Sequence, residues 1–303
     1  MKSLTPLPLG EVVTLRSADA TLTLAPGCGA RLLALDVAGE PVLRPLGDAT
    51  RRGLAPYDFA GFPLLPYSGP LFGGGFEFEG AAYHVGRTVA AEPDATHGDG
   101  WTNIWTIESH AADSIDLRFE YEPSEDQFPF RWSGRLTYAL EPSALRIVIS
   151  ITNSDARAMP AGMGFHPYFP RPDGTRLRFA HGDVWPPDSP QAVRVEPARI
   201  DGLDFNEGRD LTGMVVDRCF EDWTGTAALD YPDGRRVTVT ASPEFGKLQL
   251  YVPWYDPFVC VEPVSNANDG FNRARHGVLR HGVVRLAPGA ALSGTIRIEV
   301  GRW

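Results

Sequence analysis

Long apolar runs, basic clusters and cysteine pairs are all missing from this 303-residue chain, and each absence removes a class of function. No window approaches the ~18 consecutive apolar residues of a membrane-spanning helix. The N-terminal stretch MKSLTPLPLGEVV is too broken by proline to read as a signal peptide. A net charge of −10 without any basic run argues against nucleic acid, whose phosphates are held by clustered Lys and Arg. Cys28, Cys219 and Cys260 are odd in number and far apart, which suggests neither a disulfide framework nor a zinc knuckle. The expectation is a soluble cytoplasmic protein, monomeric or homodimeric, with no membrane or nucleic-acid partner.

Helical periodicity is also scarce. The chain carries 32 Gly and 27 Pro spread along its length, and no long window shows a 3.6-residue apolar stripe. What it has instead is period two. Ile115, Leu117, Phe119 and Tyr121 alternate with polar residues, as do Trp132, Leu136, Tyr138 and Leu140, and Leu145, Ile147, Ile149 and Ile151. Val237/Val239, Leu248/Leu250/Val252 and Leu292/Ile296/Ile298/Val300 repeat the pattern. Alternation of this kind marks half-buried antiparallel strands, and turn signals such as AGEP at 38–41 and PDG at 172–174 and 232–234 separate them. The reading is all-β, a large antiparallel β-sandwich, with residues 1–303 forming one domain. Leu46–Gly61, Glu92–Gly100 and Pro170–Gly213 read as irregular loops or arms, where binding groups tend to lie.

Two histidines stand out among seven. His166 lies in GMGFHPYFP, where Pro167 restricts the residue before it, His166 itself, and Phe165, Tyr168 and Phe169 supply an aromatic surround. His97, in THGDGWTNIW, is flanked by glycines and followed by Trp101 and Trp105, although a turn histidine capped by Asp99 fits the same residues. The acidic candidate is Glu262, in FVCVEP. Phe258, Cys260 and Glu262 share one strand face while Val259 and Val261 take the other. A carboxylate ending a strand that is apolar on both faces is either paired with a cation or desolvated with a raised pKa, and the second state suits a general acid or base. Asp217, in MVVDRCFEDW, is a second inward carboxylate, with Glu221 and Asp222 near enough in sequence to compete for that place. These residues admit three chemistries: metal binding by His and Glu, glycoside hydrolysis by Glu262 and Asp217, or metal-free proton shuttling. Spacing does not choose among them.

Five segments taken together carry a resemblance. FPLLPYSGPLFGGGFEFEGAAYHV at 62–85, THGDGWTNIWTI at 96–107, GMGFHPYF at 162–169, DRCF at 217–220 and VCVEPVSNANDGFN at 259–272 resemble, in order and rough spacing, the motifs of the aldose 1-epimerase (galactose mutarotase) family. The resemblance implies a galactose mutarotase-like supersandwich and a cofactor-independent isomerase acting on a small-molecule sugar, with no metal or organic cofactor. It implies Glu262 as general base at the anomeric hydroxyl and His166 as general acid at the ring oxygen. His97 would hydrogen-bond near the developing charge, Asp217 would hold sugar hydroxyls, and Trp101, Tyr168 and Phe165 would contact the sugar. One departure stands out: Gly69-Pro70 occupies the place where much of the family carries an Asn-Arg pair. Arg51, Arg52, Arg131 and Arg135 are the arginines considered as substitutes. A non-catalytic carbohydrate-binding protein and an epimerase of a modified sugar, such as a hexose 6-phosphate, are the alternatives.

Overall fold

A computed structural model describes residues 9–46, 57–89 and 92–302. Among these residues, two nine-stranded antiparallel sheets dominate. The first, here the site sheet, runs in the order Val13–Arg16, Ala20–Ala25, Arg31–Val37, Gly61–Leu64, Gly164–Pro170, Phe258–Val264, Lys247–Val252 and Val216–Phe220, with Glu40–Pro41 added beside Arg31–Val37. The second, the support sheet, runs Thr106–His110, Ser114–Tyr121, Trp132–Glu141, Ala144–Asn153, Ala291–Arg302, Arg235–Ala241, Thr226–Asp230, Arg176–Phe179 and Arg209–Asp210.

The period-two residues of the support sheet fall where their pattern puts them. Leu136, Tyr138, Ile147, Ile149, Ile296 and Ile298 are buried in the same core cluster as Phe165, Phe169, Leu248, Leu250, Val259 and Val261 of the site sheet. The Tyr138 hydroxyl crosses between the sheets to donate to the Ala30 carbonyl at 2.9 Å, and its ring meets Phe165 edge-on at 6.3 Å. Each such side chain, fully buried, contributes roughly 1.5–3 kcal/mol. This is the inter-sheet core, and it takes one face of every central strand of the site sheet.

The other face of those strands is also covered. Phe62, Leu64, Tyr168, Phe258, Cys260 and Val264 form a second apolar cluster there with Trp101 and Trp185. The segments that cover it are more ordered than the sequence suggests. Within Pro170–Gly213 lie two strands, Arg176–Phe179 and Arg209–Asp210, and a 3₁₀ turn, Pro190–Arg194. The four-residue strand is fixed by pairing with Thr226–Asp230, a long-range contact that local alternation over so few residues does not reveal. Glu92–Gly100 contains the two-residue strand Ala95–Thr96, and Gly61 opens a strand rather than closing a loop. A six-residue α-helix, Gly270–Arg275, places Arg273 against this arm. The Arg273 guanidinium lies over Trp185 at 4.3 Å and donates to the carbonyls of Ala192, Val195 and Asn268.

Candidate active site

The site grows from strand register. Gly164 pairs with Val264 and Tyr168 with Cys260, which brackets His166 opposite Glu262. Glu262 in turn faces Gln249, and Asp217 faces Tyr251. Because side chains alternate between faces, His166, Glu262, Gln249 and Asp217 all project from the outer face of four successive strands. They floor a cleft of about 360 Å³, within the ~300–1,000 Å³ usual for small-molecule sites. Its walls include Tyr57, Gly69, His97, Asp188, Tyr255 and Asn268.

His166 and Glu262 are the centre. The imidazole Nε2 lies 3.4 Å from Glu262 Oε1, and the two residues are only 6% and 2% exposed. Among the described residues no arginine pairs with Glu262, and of the two states the sequence allows, their arrangement selects the desolvated one. Burial, followed by the charge of Asp217, pushes the Glu262 carboxyl well above the usual carboxylate range. Burial, then His97 and Arg44, pulls the His166 imidazole well below 6.5. Both shifts favour the neutral forms, carboxylic acid and neutral imidazole, with one proton to share between the two groups. The ring is held between Tyr168, stacked at 4.6 Å and 14°, and Phe62 at 4.8 Å.

His97 meets His166 edge-on at 5.4 Å. Its cap is not Asp99 but the backbone of Gly69: the His97 N–H donates to the Gly69 carbonyl at 2.9 Å, and the Gly69 N–H donates to His97 Nδ1 at 3.0 Å. Nδ1 is therefore the acceptor and the ring proton resides on Nε2. Burial holds the pKa down, to about 3, so His97 is a neutral donor at any working pH. His97 itself has φ +65°, a left-handed conformation rare outside glycine and common where a side chain must be aimed.

The geometry accounts for Gly69, the first residue of the departure seen in the sequence. It has φ +76°, and a Cβ there would sit 1.9 Å from Asn268 Oδ1. Asn268 fills the space instead, donating to Asp188 at 2.5 Å and reaching Gln249 Oε1 at 3.5 Å; Gln249 then donates to Asp217 at 2.6 Å. A chain of amides and carboxylates thus forms one wall. Burial and then the Asp188 charge raise the Asp217 pKa to about 6. The residue is exposed by surface area, but that surface opens into the cleft, where protein replaces most of the water. Its sequence rivals are engaged elsewhere: Glu221 with Lys247 at 2.9 Å and Trp185, and Asp222 with Arg280. No lysine or arginine lines the cleft among the described residues, whereas Glu92, Asp188, Asp217 and Glu262 do. Arg131 and Arg135 pair with Glu122 and Glu108 far along the chain from the site strands. Arg51 and Arg52 lie outside the described residues.

Two of the expected contact residues are placed elsewhere. Phe165 is fully buried in the inter-sheet core, because the residue before His166 on a strand must take the opposite face. Trp101 is also fully buried, stacked behind Phe62 at 4.7 Å and Tyr57 at 5.5 Å, with Nε1 donating to the Thr96 and Gly98 carbonyls. It backs the wall and does not line it. Tyr168 does line the cleft. Gln249 carries no signal in the sequence, because KLQLYV alternates and Gln249 reads as an ordinary solvent-facing residue of a half-buried strand. Asp188, in an arm without periodicity, carries none either.

The donor atoms of His166, Cys260 and Glu262 lie within 4.8 Å of one another, and no other such trio occurs among the described residues. Burial, then the Glu262 charge, raises the Cys260 pKa well above 9.0, so this sulfur is a thiol beneath the floor rather than a ready thiolate ligand.

Comparison with known proteins finds relatives along nearly the whole chain. An uncharacterised Escherichia coli (strain K12) protein, YphB, is 28% identical over 269 residues, covering 86% of this chain and 89% of that protein. The crystal structure of a candidate aldose 1-epimerase from Escherichia coli K12 superposes with a TM-score of 0.84 at 25% identity, covering 97% of this chain and 99% of the other. A galactose mutarotase-like protein from Clostridium acetobutylicum shares the fold at 18% identity, with a TM-score of 0.81 and coverage of 98% and 97%. Residues 11–299 match the aldose 1-epimerase family, and the chain belongs to that family.

Proposed function

We propose that this chain interconverts the α and β anomers of a free, uncharged aldose, with the single sandwich carrying the whole reaction. The observation that carries this reading is the buried His166–Glu262 pair, 3.4 Å apart on the cleft floor. Mutarotation needs a base at the C1 hydroxyl and an acid at the ring oxygen, two oxygens bonded to the same carbon. An acid and a base in contact suit that demand. Hydrolysis would pair Glu262 with Asp217 instead, yet Gln249 stands between them, donating to Asp217 at 2.6 Å, and the group in contact with Glu262 is His166.

In the productive complex the shared proton sits on His166 and Glu262 is a carboxylate. Glu262 takes the C1 hydroxyl proton, His166 gives its proton to the ring oxygen, the C1–O bond to that oxygen breaks, and C1 becomes an aldehyde. The pair is then carboxylic acid plus neutral imidazole, the state its burial favours, which stabilises the open-chain intermediate. Rotation about C1–C2 and the reverse transfers close the ring on the other face. No net proton enters or leaves over the cycle. His97, a neutral Nε2 donor, steadies the oxygen that gains charge, and Asp217 accepts hydrogen bonds from the sugar hydroxyls. Among the described residues the charged side chains of the lining are all acidic, which disfavours a phosphate dianion and favours a free aldose over a hexose 6-phosphate.

Anomer exchange by NMR across aldohexoses, pentoses and hexose 6-phosphates is the test, with Glu262→Gln as control. Acceleration of a free aldose by the wild type alone is the expected result. Sugar binding without exchange would assign the chain to carbohydrate binding instead.

A further inference from the structure

The turn that joins the Lys247–Val252 and Phe258–Val264 strands reads Pro253-Trp254-Tyr255-Asp256-Pro257. Trp254 is 82% exposed and Tyr255 61%, and they are the only aromatic residues among the large exposed apolar side chains of the described chain. Their rings meet edge to face at 5.9 Å. The turn is held firmly: Arg44 donates to the Asp256 carboxylate at 3.1 Å, and Arg171 donates to the Pro253 carbonyl at 3.2 Å. An exposed tryptophan on an anchored turn is a surface that binding would desolvate.

Tyr255 joins the turn to the cleft, and Trp254 stands beside it, outside the cleft lining. The Tyr255 and Tyr251 hydroxyls are hydrogen-bonded at 3.1 Å, Tyr255 packs against Phe258 at 6.3 Å, and all three residues line the cleft. Phe258 lies four residues before Glu262 on one strand and the same face, ~13 Å away at ~3.3 Å per residue. Tyr255 and Trp254 lie farther along the chain. That span exceeds one pyranose ring. A monosaccharide with C1 at the His166–Glu262 pair would leave the turn uncovered.

We propose that the Trp254–Tyr255 turn is a second sugar subsite, holding the non-reducing unit of a glycosylated aldose whose reducing end lies at His166 and Glu262. The apolar C–H face of that unit stacks on the Trp254 indole, and its hydroxyls stay in water. The glycosidic bond is untouched; only the reducing-end ring opens and closes. The inference rests on the mutarotase reading for its chemistry, and on the exposed ring pair for its location.

The experiment compares glucose with maltose and cellobiose in the wild type and in Trp254→Ala. Trp254 is a surface side chain, so the variant folds. Wild type should favour at least one disaccharide. Trp254→Ala should lower kcat/KM for that disaccharide roughly 3- to 10-fold, the worth of one aromatic contact, and leave glucose within twofold. Equal losses on both sugars, or none on the disaccharides, overturn the proposal. So does a concentration-dependent dimer, seen by sedimentation, that Trp254→Ala dissociates without changing the sugar kinetics. Should no sugar be turned over, saturation-transfer NMR still decides. Contacts to the non-reducing ring that vanish in Trp254→Ala support the subsite even though the mutarotase reading has failed, and their absence from the wild type refutes it.

Discussion

The two large sheets are built from the same kind of strand and used differently. In the support sheet, burial alternates residue by residue, as in Ser114–Tyr121 and Ala144–Asn153, because one face meets the inter-sheet core and the other meets water. In the site sheet, Gly61–Leu64, Gly164–Pro170 and Phe258–Val264 are buried on both faces almost throughout. A polar side chain on the outer face of the support sheet is merely solvated. On the outer face of the site sheet it is desolvated, and its pKa and hydrogen-bonding power change with that. The difference in covering desolvates the His166–Glu262 pair while Arg135 and Glu108 remain an ordinary surface ion pair.

The strongest way to break that comparison is at the centre of the covered face. Glu262→Gln and His166→Asn should each lower kcat for anomer exchange by about 10²–10⁴, with an unchanged circular dichroism spectrum. Near-normal turnover in either would remove the assigned roles. Next comes the opposite face of the same strand. Phe165→Ala empties part of the inter-sheet core and should lower stability by about 3–5 kcal/mol in denaturant melts, yet leave KM for the sugar unchanged at temperatures where the variant is folded. A selective rise in KM would mean that the two faces are coupled.

A smaller effect sharpens the electrostatic side. Asp217, raised from 3.8 to about 6, is a carboxylate above that pH and gains its proton below it. KM should therefore rise roughly tenfold as pH falls from 7 to 5, the scale of a hydrogen bond to a charged acceptor. The titration should disappear in Asp217→Asn, and a wild-type profile flat across that range would contradict the assigned role. The smallest effect belongs to the exposed face of the support sheet. Arg135, 62% exposed and paired with Glu108, should contribute no more than about 0.5–1 kcal/mol when changed to Ala, with sugar kinetics untouched.

Much of this contrast was legible before any coordinates. Alternation located the support-sheet strands, and the apolar run FVCVEP announced a strand covered on both faces with a carboxylate inside it. The split of Phe258, Cys260 and Glu262 from Val259 and Val261 follows from strand geometry alone, and the two clusters they join are the cleft floor and the inter-sheet core. Other features were not legible. Aromatic identity near a histidine does not say which ring faces the cleft, so Phe165, Trp101 and Tyr168 looked alike until their strands and turns were placed. The cap of His97 comes from the backbone of a residue 28 positions away, and the strand Arg176–Phe179 exists because Thr226–Asp230 lies beside it.

The sequence by itself determined the period-two elements, the faces of each strand and which titratable side chains sit on an apolar face, because these depend on neighbours within a few residues. Only the tertiary structure decided that Glu262 meets an imidazole rather than an arginine, that Asn268 occupies the space a side chain at Gly69 would need, and that Asp188 raises the pKa of Asp217. Those outcomes depend on distance and desolvation between segments far apart in the chain, and neither quantity is encoded at any one position.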